Sequence, residues 1–316
     1  MKFAYLLLTA LIISSCMKDE IPVPKHEAGS NTTNSINLGS DYRYQAYYDL
    51  ETNTFVQEHE KIAWDLGFEC APSGFRIILN SAKSMAASNA NCGNFTAITD
   101  TVGSFWKYDV SSGNLDSTAI GDWLSSSSVY VIDRGYSHDG THQGFRKLEI
   151  EQVNTNEYQI HYAELDGSGE ETHTIQKDGT YNFVFFSFDA NSTVSIQPPK
   201  EEWDLVFGQY SHLFEPTFPY QVTGVRSNRN GVEVAEVFDK AFESIVYADI
   251  NLYDFSPNID IIGYDWKTFV GGTYETHSDK NFIVKTTEGL YYKLHFIDFY
   301  TSTGEKGNPI FEVSAL

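Results

Sequence analysis

One stretch of the 316-residue chain spaces imidazole and carboxylate as a cation site does: His138-Asp139-Gly140-Thr141-His142, with Asp133 just before it. Imidazole nitrogen and carboxylate oxygen are the donors that zinc and calcium take. The same residue types also build a Gly-rich surface turn, so the run supports either reading. Two other histidines stand alone, His212 just past a Trp-Asp strand and His277 in the loop before a strand at 282–286. Cys70 and Cys92 are either a disulfide or two unpaired small hydrophobes, since a count of cysteines carries no geometry. No nucleophile elbow, HExxH helix, phosphate-binding loop or dinucleotide glycine fingerprint occurs. Carboxylate pairs arise by chance among 43 acidic residues, and nothing singles out two of them for acid–base work. The chain reads as a binding protein and not an enzyme.

The elements that must position these residues occur twice. Trp64-Asp65-Leu66-Gly67-Phe68 returns as Trp203-Asp204-Leu205-Val206-Phe207, and a slide of 139 residues also lays Tyr44, Tyr47, Asp49 and Phe55 on Phe183, Phe186, Phe188 and Val194. Further on, Trp123 pairs with Trp266, 129–135 with 282–289, and 145–150 with 291–296. So long a period means tandem domains or pseudo-symmetric halves, not a solenoid. The copies run over 41–166 and 180–316. Each opens with a hairpin, turning at 51–54 and at 189–192, and continues through alternating strands separated by Ser- and Gly-rich turns. We expect an all-β molecule of two similar antiparallel lobes. In each, Trp, Leu and Phe of the repeated strand share the core face, the indole fills the lobe centre, and Asp65 or Asp204 bonds loop amides behind it.

Composition narrows the partners. Tyr and Phe are abundant, 20 and 22, as pleated half-buried surfaces favour. A formal charge of −22 repels nucleic-acid phosphate and anionic lipid. At the start, Phe3 to Ile13 is an apolar run too short to span a bilayer and suited to a secretory signal over 1–15. Ile13-Ser14-Ser15-Cys16 resembles the lipobox of bacterial lipoproteins, which implies cleavage before Cys16 and lipidation of its side chain. Cys16-Met17-Lys18-Asp19-Glu20 is similar to the acidic export signal that sends lipoproteins of Bacteroidetes to the outer face of the outer membrane. Residues 16–40, rich in Pro, Gly, Ser and Asn, then read as a flexible tether.

Lipobox, Trp-Asp strand and the closing pattern Ile283-Val284-Lys285-Thr286-x-x-Gly289-x-x-x-Lys293-Leu294-x-Phe296-x-x-Phe299-Tyr300 together resemble the HmuY-like family of Bacteroidetes haem-binding lipoproteins. The second copy carries the resemblance more clearly than the first. It implies an all-β, surface-exposed carrier that captures haem or a related porphyrin between two axial side chains and passes it to a TonB-dependent receptor. It further implies His277 as one axial ligand, with His212 the nearest second imidazole. Neutral imidazole suits haem iron. The alternative is a non-catalytic surface module that binds a glycan, peptide or partner protein through exposed rings such as Tyr136, Phe218 and Tyr220.

Overall fold

The computed structural model describes residues 27–126, 128–215 and 218–316. Cys16, the segment 1–15 and the first part of the tether lie outside it. Among the described residues no helix is long and apolar enough to cross a membrane. The chain is all-β, antiparallel throughout.

It opens with β1 (Thr32–Ser35), β2 (Tyr44–Asp49) and β3 (Thr54–Glu60), followed by β4 (Leu66–Glu69), β5 (Ile77–Leu79), β6 (Ala86–Asn89), β7 (Tyr130–Asp133), β8 (Phe145–Asn154) and β9 (Glu157–Ala163). The plan restarts with β10 (Glu171–Gln176), β11 (Phe183–Ser187) and β12 (Ser192–Val194). It runs on through β13 (Leu205–Glu215), β14 (Phe218–Ser227), β15 (Glu233–Val237), β16 (Lys267–Val270), β17 (Thr273–Thr276), β18 (Asn281–Lys285), β19 (Tyr291–Tyr300) and β20 (Lys306–Ala315). Segment 102–109 makes only an isolated bridge, from Lys107 to Ala87. The turn at Gly103 (φ 81°) breaks its pleat.

Two sheets of five strands, β10-β9-β8-β7-β6 and β1-β20-β19-β18-β15, correspond strand for strand. So do two sheets of four, β12-β11-β4-β5 and β3-β2-β13-β14. Each larger sheet packs on a smaller one across an apolar core, as a sandwich does. In the first lobe Leu66, Phe68 and Phe186 meet Ile132, Leu148 and Ile160. In the second Tyr48, Leu205 and Phe207 meet Val284, Leu294 and Phe311.

The lobes are cut differently from the segments 41–166 and 180–316. Strands β4 to β12 form the first lobe without interruption, while the second joins β13–β20 to the amino-terminal β1–β3. The first strands of each copy therefore complete the sheets of the other: β1 pairs with β20 (Thr32 opposite Val313) and β10 with β9 (Glu171 opposite Tyr162). A hairpin carries unpaired edges that any matching sheet can take up, so adjacency in sequence does not decide the partner.

The repeated hairpins also lie one residue from the 139-residue slide. Leu66 faces Phe186 and Leu205 faces Tyr48, an offset of 138. Tyr47-Tyr48 and Phe185-Phe186 are both doubled aromatics, so either offset puts ring on ring, yet one step in a strand reverses which side chains face inward. The turns confirm 138: Asn53 and Asn191 are left-handed, φ 54° and 51°. Each accepts from an equivalent strand residue, Asn53 Oδ1 from Asn34 Nδ2 at 3.0 Å and Asn191 Oδ1 from His173 Nε2 at 2.6 Å.

The indoles of Trp64 and Trp203 do not fill the lobe centres. Both precede their strands, which begin at Leu66 and Leu205, so the alternation expected to place Trp with Leu and Phe is broken at the Asp. Trp64 meets Phe185 edge-on at 4.7 Å and Trp203 meets Tyr47 at 4.8 Å, in two small clusters apart from the main cores. Such pairs contribute about 0.5–1.5 kcal/mol beyond burial. The central indoles are Trp123 and Trp266, the latter stacked on Phe296 at 3.9 Å.

Candidate functional site

His212 lies within β13, opposite Tyr220 of β14. Side chains two apart on one strand and opposite on the next share a face, and here Phe214 packs 4.9 Å from the imidazole and 6.0 Å from Tyr220. Tyr264, brought in from the segment before β16, lies 5.1 Å from the imidazole. Phe214, Phe218 and Tyr220 are 53%, 59% and 57% exposed, three rings left to solvent on one hairpin. Nδ1 of His212 meets the Ser111 hydroxyl of the other lobe at 3.2 Å. That contact fixes the ring through one of its two nitrogens.

His277 follows the small hairpin β16–β17. Its Nε2 lies 2.8 Å from the Thr268 hydroxyl, and its amide donates to the Trp266 carbonyl at 2.9 Å. Among the described contacts none joins the two histidines: Tyr264 and Ser111 touch His212, and Thr268 holds His277.

The loop from Asp133 to His142 spends its donors on itself. Asp133 pairs with His142 Nε2 at 2.9 Å and accepts the Gly135 amide at 2.8 Å, while His142 Nδ1 accepts the Gly144 amide at 3.2 Å. An accepting Nδ1 puts the proton of a neutral ring on Nε2, which donates to Asp133. The Asp139 carboxyl, held by Ser137 and by Thr141, is lowered to about 2. Among the described residues no three His, Cys, Asp or Glu converge as a cation cage; His142 is engaged within the turn, while the buried His138 Nδ1 has no hydrogen-bond partner. Cys70 and Cys92 are free thiols.

That loop and the β13–β14 hairpin rest on one short turn, Ser81–Lys83. The Tyr136 amide donates to the Lys83 carbonyl at 2.8 Å. A side chain at Gly135 (φ 66°) would come within 1.9 Å of that carbonyl, so only glycine fits. From the other lobe, Ser211 Oγ and Gln221 Nε2 donate to the Ser81 carbonyl at 2.9 and 2.7 Å. The Tyr136 loop and the hairpin thus share one support, but Ser211 and Gln221 reach it from the face opposite His212 and Tyr220.

Behind the repeated strands the two aspartates are buried, each taking an amide of the opposite copy's hairpin. Asp65 accepts from Phe188 at 2.8 Å and Asp204 from Leu50 at 2.9 Å. Asn80 and Asn228 brace the segments before them in the same manner. Asn80 Nδ2 reaches the carbonyls of Lys61 and Trp64, and Asn228 Nδ2 those of Lys200 and Trp203. Asp65 alone has buried cations, Lys83 and Arg134 at 2.5 and 3.1 Å. The repeat shows in sequence as Lys61 with Lys200, but nothing near Asp65 marks Lys83 and Arg134 as its partners.

A family model described as HmuY protein matches residues 41–177 and 219–313. Three solved structures are similar at 12% identity. Apo PinO from Porphyromonas gingivitis is covered over 97% of its chain and 91% of this one, with a TM-score of 0.36. The apo HmuY analog (TFO) of Tannerella forsythia is covered over 97%, against 92% of this chain, at 0.32. For a putative HmuY_like heme binding protein from Bacteroides vulgatus both shares are 90%, at 0.23. No curated protein matches the chain.

Proposed function

The chain belongs to the HmuY family, and from that premise we propose that it is a lipid-anchored surface protein that captures haem or a related porphyrin. Anchored through Cys16 in the outer membrane and facing the cell exterior, it passes its cargo to a TonB-dependent receptor. The observation that carries this reading is the setting of His212: Nδ1 tied to Ser111, and the ring flanked by Phe214 and Tyr264 with Tyr220 beyond. A neutral imidazole fixed through one nitrogen presents the other to iron, and flat aromatic faces suit a macrocycle. His277 would be the second ligand in this reading, through the Nε2 that meets the Thr268 hydroxyl.

Haemin added at micromolar concentration to the soluble protein from Asp19 onward shifts the Soret band. His212→Ala abolishes the shift, and His277→Ala weakens it. An unchanged band with the wild-type protein removes the reading. The exposure of Phe214, Phe218 and Tyr220 on one hairpin favours a second reading, stacking against a sugar ring or peptide. In that case Tyr220→Ala abolishes binding in a glycan screen while His212→Ala leaves it intact.

A further inference from the structure

Between the lobes lies a cavity of about 90 Å³, room for a few waters or one small ion. Trp64 and Trp203, only 6% and 5% exposed, line it from the two copies, and neither indole Nε1 has a hydrogen-bond partner. Arg226 and Arg229 line it as well. Their guanidiniums lie over the rings of Tyr210 and Phe183, at 5.2 and 5.3 Å. Arg226 Nη1 donates to Ser81 Oγ at 3.4 Å and Arg229 Nη1 to the Gly113 carbonyl at 2.6 Å. Among the described residues neither arginine forms an ion pair with a carboxylate.

Asp109 is the one acidic residue on the cavity wall. It is committed to backbone, accepting the Leu79 and Ala119 amides at 2.7 Å each. Burial pushes its carboxyl up to about 6, against the pull of both arginines. Burial and then the charge of Arg226 lower Arg229 to about 10. Two guanidiniums that repel one another, each partly buried, face a single carboxylate, and charge drawn partly out of water favours a counter-charge with hydrogen bonds.

We propose that this cavity binds one small oxyanion, a carboxylate or a phosphate, held by the Arg226 and Arg229 guanidiniums and by the indole N–H groups of Trp64 and Trp203. Guanidinium suits both through paired N–H···O bonds, and the two indoles add neutral donors from opposite lobes. Such an ion joins the lobes where they meet. The site does not rest on the haem reading.

Titration of the 15N-labelled soluble chain at ionic strength fixed with sodium chloride tests it, with inorganic phosphate in one arm and acetate in the other. The indole N–H signals of Trp64 and Trp203 shift and saturate in at least one arm, and the arm with the lower midpoint identifies the oxyanion. Trp123, whose Nε1 donates to the Phe75 carbonyl at 2.6 Å, stays in place. Arg229→Gln raises the midpoint by about tenfold, the loss of one charged hydrogen bond. Static signals for Trp64 and Trp203, or equal drift of all five indoles, overturn the proposal using the wild-type protein alone.

Discussion

The two lobes repeat the same backbone device around Asp65 and Asp204 and charge it differently. The Asp65 amide donates to Phe186 at 2.8 Å and the Asp204 amide to Tyr48 at 2.9 Å, so both residues stitch their strand to the opposite copy's hairpin. Asp65, fully buried, is paired with Lys83 and Arg134. Asp204, 4% exposed, has no cation among its described partners and feels only the charges of Asp49, Glu51 and Glu288. Burial first, and then those charges, push its carboxyl up to about 7. The hairpin amide needs an acceptor, and either protonation state supplies one. One copy surrounds that acceptor with cations and the other with carboxylates, so the duplicated geometry tolerates two electrostatic solutions.

The largest effect that follows is on removal of the carboxylates. Asp65→Ala strands the buried Lys83 without its counter-ion and leaves Arg134 only Asp189, at a cost of about 3–5 kcal/mol. Asp204→Asn keeps an acceptor for Leu50 and costs less than about 1 kcal/mol at neutral pH, where the native carboxyl is already half protonated. Urea midpoints of the two variants measure the gap. Equal losses would break the comparison.

Next in size is the pH dependence. The folded value of Asp204, about 7, lies above the ordinary carboxyl value of 3.8, so the folded state holds the proton more tightly. Its contribution to stability is complete below that ordinary value and is lost as pH rises toward 7. Between about pH 5 and pH 7 the loss is about 2 kcal/mol. Unfolding free energies at those two pH values should show this fall in the wild-type protein and a flatter profile in Asp204→Asn. A profile unchanged by the substitution would mean that Asp204 is ionised and the lobes do not differ as described.

The duplication and the β class were legible because a Trp-Asp dipeptide in an alternating apolar frame is rare and recurs with its flanks. The one-residue slip was not, since Tyr47-Tyr48 and Phe185-Phe186 hide a change of face behind identical chemistry. Nor was the distribution of strands over lobes, because β1–β3 carry no local sign that their partners lie at the other end of the chain. His212 could be picked out as a lone imidazole. Its setting could not, since Ser111 comes from 101 residues away and Tyr264 from the far side of the second core. The loop at 133–142 was ambiguous in sequence for a related reason: donors spaced for a metal are equally spaced to satisfy each other.

The smallest predicted effect tests what the lobes share. Asn53 and Asn191 hold the left-handed corner of their hairpins, a conformation that costs an ordinary side chain about 1–2 kcal/mol. Asparagine offsets that cost with its carbonyl, which accepts from Asn34 in one lobe and His173 in the other. Asn53→Ala and Asn191→Ala should therefore each lose about 1 kcal/mol or slightly more, and by similar amounts. The glycine variants should recover the conformational part and lose only the hydrogen bonds. Because neither asparagine side chain bonds Asp65 or Asp204, their thermal midpoints should fall in parallel at pH 5 and at pH 7. A midpoint shift that differed between the two turns would place the asymmetry in the backbone scaffold itself, and not in the charges behind it.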